Sequence, residues 1–335
     1  MKALIINQSE VRRLLPMDEC LELMDHAFKI VSGGAAVLPV RSVMWLPDGT
    51  GLLGMMPGCL QQSGIMGLKV VTVFPDNQGS GYESHTGVVI LFETEHGQIL
   101  SMVEGGEITA IRTAAASGVA TRLLAREDAG DLAVIGSGTQ ARMHLEAMLL
   151  VRPVQRVRVW SLSLEHAREF AERESRRHGI VVEAMNTARE AVKGADIICT
   201  ATPAREPVLF SDMISEGAHI NAVGSCTPAG RELDTKTVVR SRLFVDKRES
   251  TLKEAGDFLI PQNEGAIDED HIHGEIGEIL LGKVEGRTSE HEITLFESLG
   301  LAVEDLVSAH YVYGRALEKG MGTPVELGGS AVGSA

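Results

Sequence analysis

The sequence predicts an α/β protein of two domains, one of them a doubly wound parallel sheet. Three observations carry this. From Asp131 onward, short apolar runs alternate with stretches of helical periodicity, the rhythm of βαβ units. Between about residues 40 and 104, β-rich runs alternate with turn clusters, which reads as a largely antiparallel sheet in an α+β region. Finally, 335 residues with 44% hydrophobic content supply two cores, at roughly 100–200 residues per domain.

In chain order, Asp18 is placed to cap a helix whose apolar positions Leu21, Met24, Phe28 and Val31 recur at three and four residues, with Gly33-Gly34 as the stop. Strands are expected at 40–46, 67–74, 86–93 and 98–103, separated by turns such as Pro47-Asp48-Gly49 and Pro75-Asp76-Asn77. An Ala-rich helix over 107–125 serves as connector. The strand Asp131–Ile135 precedes a helix to about residue 150, and Arg156–Trp160 precedes one over 165–178. Further strands fall at 180–184, 196–200, 219–223 and 243–245. A last helix, 303–319, is expected to return to the first domain, and the stretch 321–335, with Gly328-Gly329-Ser330, reads as a flexible tail.

Composition excludes several functions. A net charge of −15, from 31 Lys+Arg against 46 Asp+Glu, argues against a nucleic-acid-binding body and against a surface for anionic lipid. No apolar run approaches the ~20 residues of a membrane span. The opening residues offer only Leu4-Ile5-Ile6 before polar positions, too short for a signal-peptide core. Cys20, Cys59, Cys199 and Cys226 are scattered and form no CxxC pair, which suits a reducing cytoplasm better than a disulfide or zinc framework. No metal site is expected: Glu269-Asp270-His271-Ile272-His273-Gly274-Glu275 has an H-x-H, but reads as a surface turn.

Val134-Ile135-Gly136-Ser137-Gly138-Thr139-Gln140-Ala141 is a strand entering G-x-G-x-x-A and then a helix. Gly136 permits the tight turn, Gly138 lets backbone approach a pyrophosphate, and Ala141 allows close helix–sheet packing; Thr139 and Gln140 open the helix. A ribose-reading residue is expected ~20 residues past the glycines. The stretch there is Trp160-Ser161-Leu162-Ser163, with no carboxylate to hold a 2′-hydroxyl or to repel a 2′-phosphate. That leans toward NADP over NAD, with Ser161, Leu162 and Ser163 beside the adenosine ribose. The alternative is that the serines only start the next helix.

Three cations stand among apolar neighbours. Lys69 lies in Gly67-Leu68-Lys69-Val70-Val71-Thr72-Val73, where burial would lower its pKa and let it pass a proton near neutrality; the alternative is an ammonium reaching an edge. Arg41 begins a strand after Pro39, and Arg112 sits in Ala110-Ile111-Arg112-Thr113-Ala114-Ala115-Ala116. Guanidinium groups in such company suit a carboxylate partner, of the protein or of a ligand. Together the three point to a small carboxylic-acid substrate facing a nicotinamide.

The chain resembles the ornithine cyclodeaminase/mu-crystallin family along essentially its whole length. The likeness rests on Pro39-Val40-Arg41, Gly67-Leu68-Lys69, Phe74-Pro75-Asp76-Asn77, the stretch from Ser84-His85 to Phe92, Thr109 to Ala115, Gly136 to Arg142 and Ile220-Asn221-Ala222-Val223-Gly224. Arg231-Glu232-Leu233-Asp234, Leu252 to Asp257 and Glu297-Ser298-Leu299-Gly300 extend it. The resemblance implies a Rossmann domain, 121–301, inserted into a substrate-binding and dimerisation domain, 1–120 plus 302–320, and a homodimer. It implies that Arg41, Lys69 and Arg112 grip the substrate carboxylate, with Lys69 close to the reacting nitrogen. Thr113, Thr200, Thr202, Val223, Gly224, Ser298 and Leu299 would lie along the cofactor.

Within the family, cyclodeaminases carry an Asp after the glycines of the loop where this chain reads Gly224-Ser225-Cys226, and an acid shortly before Met-Pro where it reads Leu53-Gly54-Met55-Met56-Pro57. Both departures favour the mu-crystallin-like branch: NAD(P)H-dependent reduction of a ketimine or imino acid beside a carboxylate, giving an L-amino acid. The alternatives are an ornithine or lysine cyclodeaminase, an alanine-dehydrogenase-like enzyme, or a non-catalytic small-ligand binder.

Overall fold

The computed structural model describes residues 2–77 and 80–327. It begins with β1 (Lys2–Ile6), α1 (Gln8–Leu14) and α2 (Met17–Ser32), followed by β2 (Ala36–Val37), β3 (Ser42–Trp45), β4 (Leu52–Leu60), β5 (Ile65–Val73), β6 (His85–Glu93) and β7 (Ile99–Glu104). Asp18 is not the cap of α2; Pro16 takes that position, and Asp18 lies in the first turn, where its charge meets the helix dipole. Helix α3 (Gly105–Leu124) follows β7 directly. Glu104 caps it by accepting from the Gly106 and Glu107 amides at 2.6 and 2.8 Å.

Next come β8 (Asp131–Ile135), α4 (Thr139–Val151), β9 (Arg156–Trp160), α5 (Leu164–His178), β10 (Val182–Ala184), α6 (Ala188–Val192), β11 (Ile197–Thr200) and β12 (His219–Ala222). They are followed by α7 (Thr235–Arg240), β13 (Ser241–Val245), α8 (Arg248–Glu254), α9 (Gly256–Asn263), β14 (Ile272–Glu275), α10 (Ile276–Leu280) and β15 (Ile293–Glu297). The chain ends in α11 (Ala302–Lys319) and β16 (Thr323–Glu326).

The residues divide into two compact units, Met1–Arg112 with Leu301–Ala335, and Thr113–Gly300, so the division falls inside α3. The sheet of the second unit runs β10-β9-β8-β11-β12-β15-β13-β14 and is parallel throughout. Strand order reverses between β8 and β11, the switch point at which doubly wound sheets bind ligands outside their carboxyl ends. Buried on both faces, its central strands read as continuous apolar runs such as Leu132-Ala133-Val134-Ile135.

The first unit holds a mixed sheet, β16-β1-β7-β6-β5-β4-β2, with β3 also on β4; β1 runs parallel to β7 and the other pairs are antiparallel. Strand β4 escapes sequence reading because it contains Pro57 and two glycines. The proline falls where neither β2 nor β3 pairs with β4, so its missing N–H breaks no bond on that edge. The expected tail is also corrected: β16 pairs antiparallel with β1, Lys2 opposite Glu326, because the outer edge of β1 offers unpaired backbone groups. Gly328-Gly329-Ser330 and the residues after them lie outside the described residues. No helix among the described residues is long and apolar enough to cross a membrane.

Helix α11 is seated on this sheet by a pair of glycines. Gly58 and Gly67 face each other across β4 and β5. A Cβ on Gly67 would lie 2.5 Å from both Leu306 Cδ2 and the Ile90 carbonyl oxygen, and one on Gly58 3.1 Å from Leu306 Cδ1. The missing side chains form the hollow that takes Leu306 and brings the neighbouring residues of α11 down onto β5. Gly67→Ala is therefore expected to destabilise the protein by about 1–3 kcal/mol through overpacking, with Gly58→Ala milder because only the end of a leucine must yield. The midpoints of urea unfolding check both.

Candidate functional site

In the first unit, Lys69 is on β5, two residues beyond Gly67 and on the same face. It is 3% exposed, and its Nζ donates to Asp305 Oδ1 of α11 at 3.1 Å. Arg112, 4% exposed, donates from Nε to that same oxygen at 3.0 Å and from a terminal nitrogen to Glu304 Oε2 at 2.7 Å. Two cations and two carboxylates thus form one buried network, the condition under which charge tolerates removal from water. Burial pulls the Lys69 pKa down to about 8; Asp305 opposes the fall, while Arg112 and Arg41 add to it. Burial also works against the Arg112 charge, but Asp305 and Glu304 outweigh it and hold the guanidinium above its usual range. Arg41, between β2 and β3, is half-buried and within electrostatic reach of Lys69. His85, at the start of β6, is held below its usual range by burial and by the Lys69 charge. The three expected cations are therefore brought together.

In the second unit, the glycine loop follows β8 at the switch point. Gly136 has φ +122°, a conformation that favours glycine, and a Cβ there would lie 2.5 Å from the Ala201 carbonyl oxygen. Gly138 is the N-cap of α4; no side chain caps that helix, and a Cβ on Gly138 would meet nothing within 4 Å. An open cradle ahead of a 13-residue helix, its first residues Thr139 and Gln140, fits a dinucleotide pyrophosphate. At the end of β9, the Ser137 hydroxyl donates to Ser161 Oγ at 3.0 Å, Leu162 is 94% exposed, and Ser163 caps α5 by accepting from the His166 amide at 3.3 Å. Ser163 thus performs the structural role that was its alternative.

Three of the remaining expected residues, Thr200, Thr202 and Gly224, meet on a buried acid, Glu232. Glu232 accepts from the Thr200 hydroxyl, the Thr202 hydroxyl and amide, and the Gly224 amide, each at 2.7 Å. Val223 donates its amide to the Thr200 carbonyl at 3.1 Å, and Ser298 donates to the Ala222 carbonyl at 2.9 Å. The Leu299 amide donates to Asp246 Oδ2 at 2.7 Å. One carboxylate therefore ties the segments after β11 and β12 together. Thr113 is buried in α3. The only sequence trace of Glu232 was the Arg231-Glu232-Leu233-Asp234 likeness; spacing alone gave no reason to bury it. Glu304 and Asp305 carry no local signal of their own, falling within the last helix that the periodicity predicts. In the His-rich segment, His271 is 2.8 Å from the Val238 carbonyl oxygen and His273 packs edge-on against Phe244.

The second unit, a doubly wound sheet with an open glycine cradle, defines a dinucleotide-binding protein, and the first unit carries a buried ammonium and guanidinium that share one carboxylate oxygen. The chain belongs to the ornithine cyclodeaminase/mu-crystallin family, whose model matches residues 1–320. It is 37% identical over 325 residues to the Δ1-pyrroline-2-carboxylate reductase of Bacillus cereus, covering 97% of this chain and all of that protein. It is 39% identical over 280 residues to the ketimine reductase mu-crystallin of Mus musculus, covering 84% and 85%. Among solved structures it superposes on Thermococcus litoralis Δ1-pyrroline-2-carboxylate reductase in complex with NADH and L-proline, with a TM-score of 0.94 and 42% identity over 96% of this chain and all of that one. An archaeal alanine dehydrogenase dimer with bound NAD gives a TM-score of 0.92 and 33% identity over 97% and 99%.

Behind Glu232, Asp257 accepts from the Glu232 and Leu233 amides through Oδ1 at 3.0 and 2.8 Å, while its Oδ2 is buried without a partner. Burial first, then the Glu232 charge, push its pKa up to about 8. Glu297 is driven well above the carboxylate range by burial and by Asp257, Asp246 and Glu232. An acid that holds its proton when folded and loses it when unfolded contributes stability below its unfolded pKa of about 4; that contribution fades as pH rises toward 8. Asp257→Asn keeps the Oδ1 acceptor without the titration and is expected to flatten the decline between pH 5 and 8. Urea unfolding at three pH values checks it; parallel slopes would assign the decline to other groups.

Proposed function

We propose that this protein reduces the C=N bond of a small cyclic 2-imino acid, Δ1-pyrroline-2-carboxylate or its six-membered homologue, to the L-amino acid with NAD(P)H. The observation that carries the reading is the shared-oxygen pair of Lys69 and Arg112: each cation keeps N–H groups beyond those given to Asp305 and Glu304. Arg112, with Arg41, binds and orients the substrate carboxylate. Lys69, with a pKa of about 8, holds a proton at the imine nitrogen. An iminium accepts hydride better than a neutral imine because the arriving charge is neutralised. The nicotinamide, held by Gly136, Gly138, Thr139, Gln140, Thr113, Thr200, Thr202, Val223, Gly224, Ser298 and Leu299, supplies the hydride. The balance is one hydride to carbon and one proton to nitrogen, giving the amine and the oxidised dinucleotide.

The absence of a carboxylate at Ser161, Leu162 and Ser163 supports NADPH over NADH. Cys226 in place of the cyclodeaminase Asp, and no acid from Leu53 to Pro57, support reduction over ammonia release. A cytoplasmic homodimer is part of the same reading. No disulfide joins the cysteines among the described residues, and Val43, Met44 and Trp45 on β3 are 42%, 53% and 57% exposed, an apolar strip suited to a second copy.

The test is anaerobic oxidation of NADPH and NADH with pyrroline-2- and piperideine-2-carboxylate. Turnover to the cyclic L-amino acid supports the reading; no turnover, with ammonia released from ornithine or lysine, reverses it. Lys69→Ala is expected to lower kcat by about 10²–10⁴-fold with cofactor affinity unchanged, as followed by nucleotide fluorescence titration.

A further inference from the structure

Asp305 has an unusual load for a single side chain. One of its oxygens, Oδ1, takes both the Lys69 ammonium at 3.1 Å and the Arg112 Nε at 3.0 Å, and the residue is fully buried. The other oxygen, Oδ2, is buried without a hydrogen-bond partner. The two cations therefore stand within two hydrogen-bond lengths of one another, across a common acceptor. Glu304, the preceding residue, accepts from a terminal nitrogen of Arg112. Asp305 itself is set in place by Leu306, which fills the hollow over Gly58 and Gly67, so its position is a property of how α11 lies on the sheet.

We propose that Asp305 is a positioning residue for the imine reduction: it fixes the distance between the proton-bearing Lys69 and the carboxylate-binding Arg112, and keeps the lysine protonated for its task. The proposal rests on the reductase reading above. The proton concerned leaves Lys69 Nζ for the imine nitrogen as the carbon receives its hydride, and the neutral amine regains a proton from water after product leaves. The charged and titratable groups facing Lys69 are Asp305 on α11, Arg112 on α3, Arg41 between β2 and β3, and His85 on β6. Among these, Asp305 alone brings negative charge. Its removal leaves burial, Arg112 and Arg41 acting in one direction, toward the neutral amine.

The experiment is kcat/KM for pyrroline-2-carboxylate from pH 5.5 to 9.5, for the wild type, Asp305→Asn and Asp305→Glu. In the wild type the alkaline limb falls through about pH 8. In Asp305→Asn the limb is expected about 1–3 pH units lower, the shift that an opposite charge at this range produces. Asp305→Glu keeps the charge, and so the limb, but displaces the ammonium and is expected to lower kcat about tenfold or more. A merely structural role would depress the whole profile without moving the limb. An Asp305→Asn profile with the wild-type limb overturns the proposal. Should that variant fail to fold, Asp305→Glu decides: unchanged kcat overturns it, and a lowered kcat with the limb retained supports it. A wild type that turns over neither imine overturns the reductase reading and the proposal with it, whereas an active wild type with an unmoved limb overturns the proposal alone.

Discussion

Charge taken out of water has to be met by opposite charge, and the first unit of this protein is organised around that requirement. Lys69 and Arg112 are buried among apolar strands and an Ala-rich helix, and both are answered by adjacent acids of α11. The answering helix is distant in sequence and is held by packing: a leucine over two glycines that face each other across neighbouring strands. Removing either acid would leave a buried cation short of a partner, so sheet, helix and ion network depend on one another. The network has an electrostatic consequence. A lysine held near pH 8 is still mostly charged at neutrality, yet gives up its proton far more readily than a lysine in water.

The second unit uses the inverse arrangement. Buried carboxylates there are answered mainly by backbone amides and hydroxyls. Glu232 gathers donors from the segments after β11 and β12, and Asp246 takes the amides of Leu299 and Gly300. These acids hold the loops at the carboxyl ends of the sheet, where a doubly wound fold binds its ligand. The hydroxyls of Thr200 and Thr202 are turned to Glu232, which makes those threonines part of the loop's fixture as well as candidates for the cofactor. Asp257 and Glu297 lie behind, where burial first and neighbouring negative charge second make them retain protons far above the usual carboxylate range.

The departures from the family's cyclodeaminase pattern gain weight from this background. The family framework is present over nearly the whole chain, while the positions at which an acid would activate a second amine carry Cys226 and the apolar run of β4. A buried network of cations and acids, with no acid at those two positions, suits addition of hydride and proton to a C=N bond beside a carboxylic acid.

Local pattern alone determined the βαβ rhythm after Asp131, the glycine loop, the long helices, and the presence of Lys69, Arg41 and Arg112 among apolar neighbours. Each of these is written in consecutive residues, as period, turn chemistry or a charge out of place. Tertiary structure decided the rest. Strand β4 contains a proline and glycines that argue against a strand until its pairing is known, and β16 exists because β1 has an open edge. Whether the cations were bonded by the protein, and by which groups, could not be read from their own surroundings, because Asp305 is 236 residues from Lys69 and 193 from Arg112. Glu232 looked like any acid in a loop. The physical reason is common to all of them: a pairing between groups remote in sequence leaves no trace in either stretch until packing brings the two together.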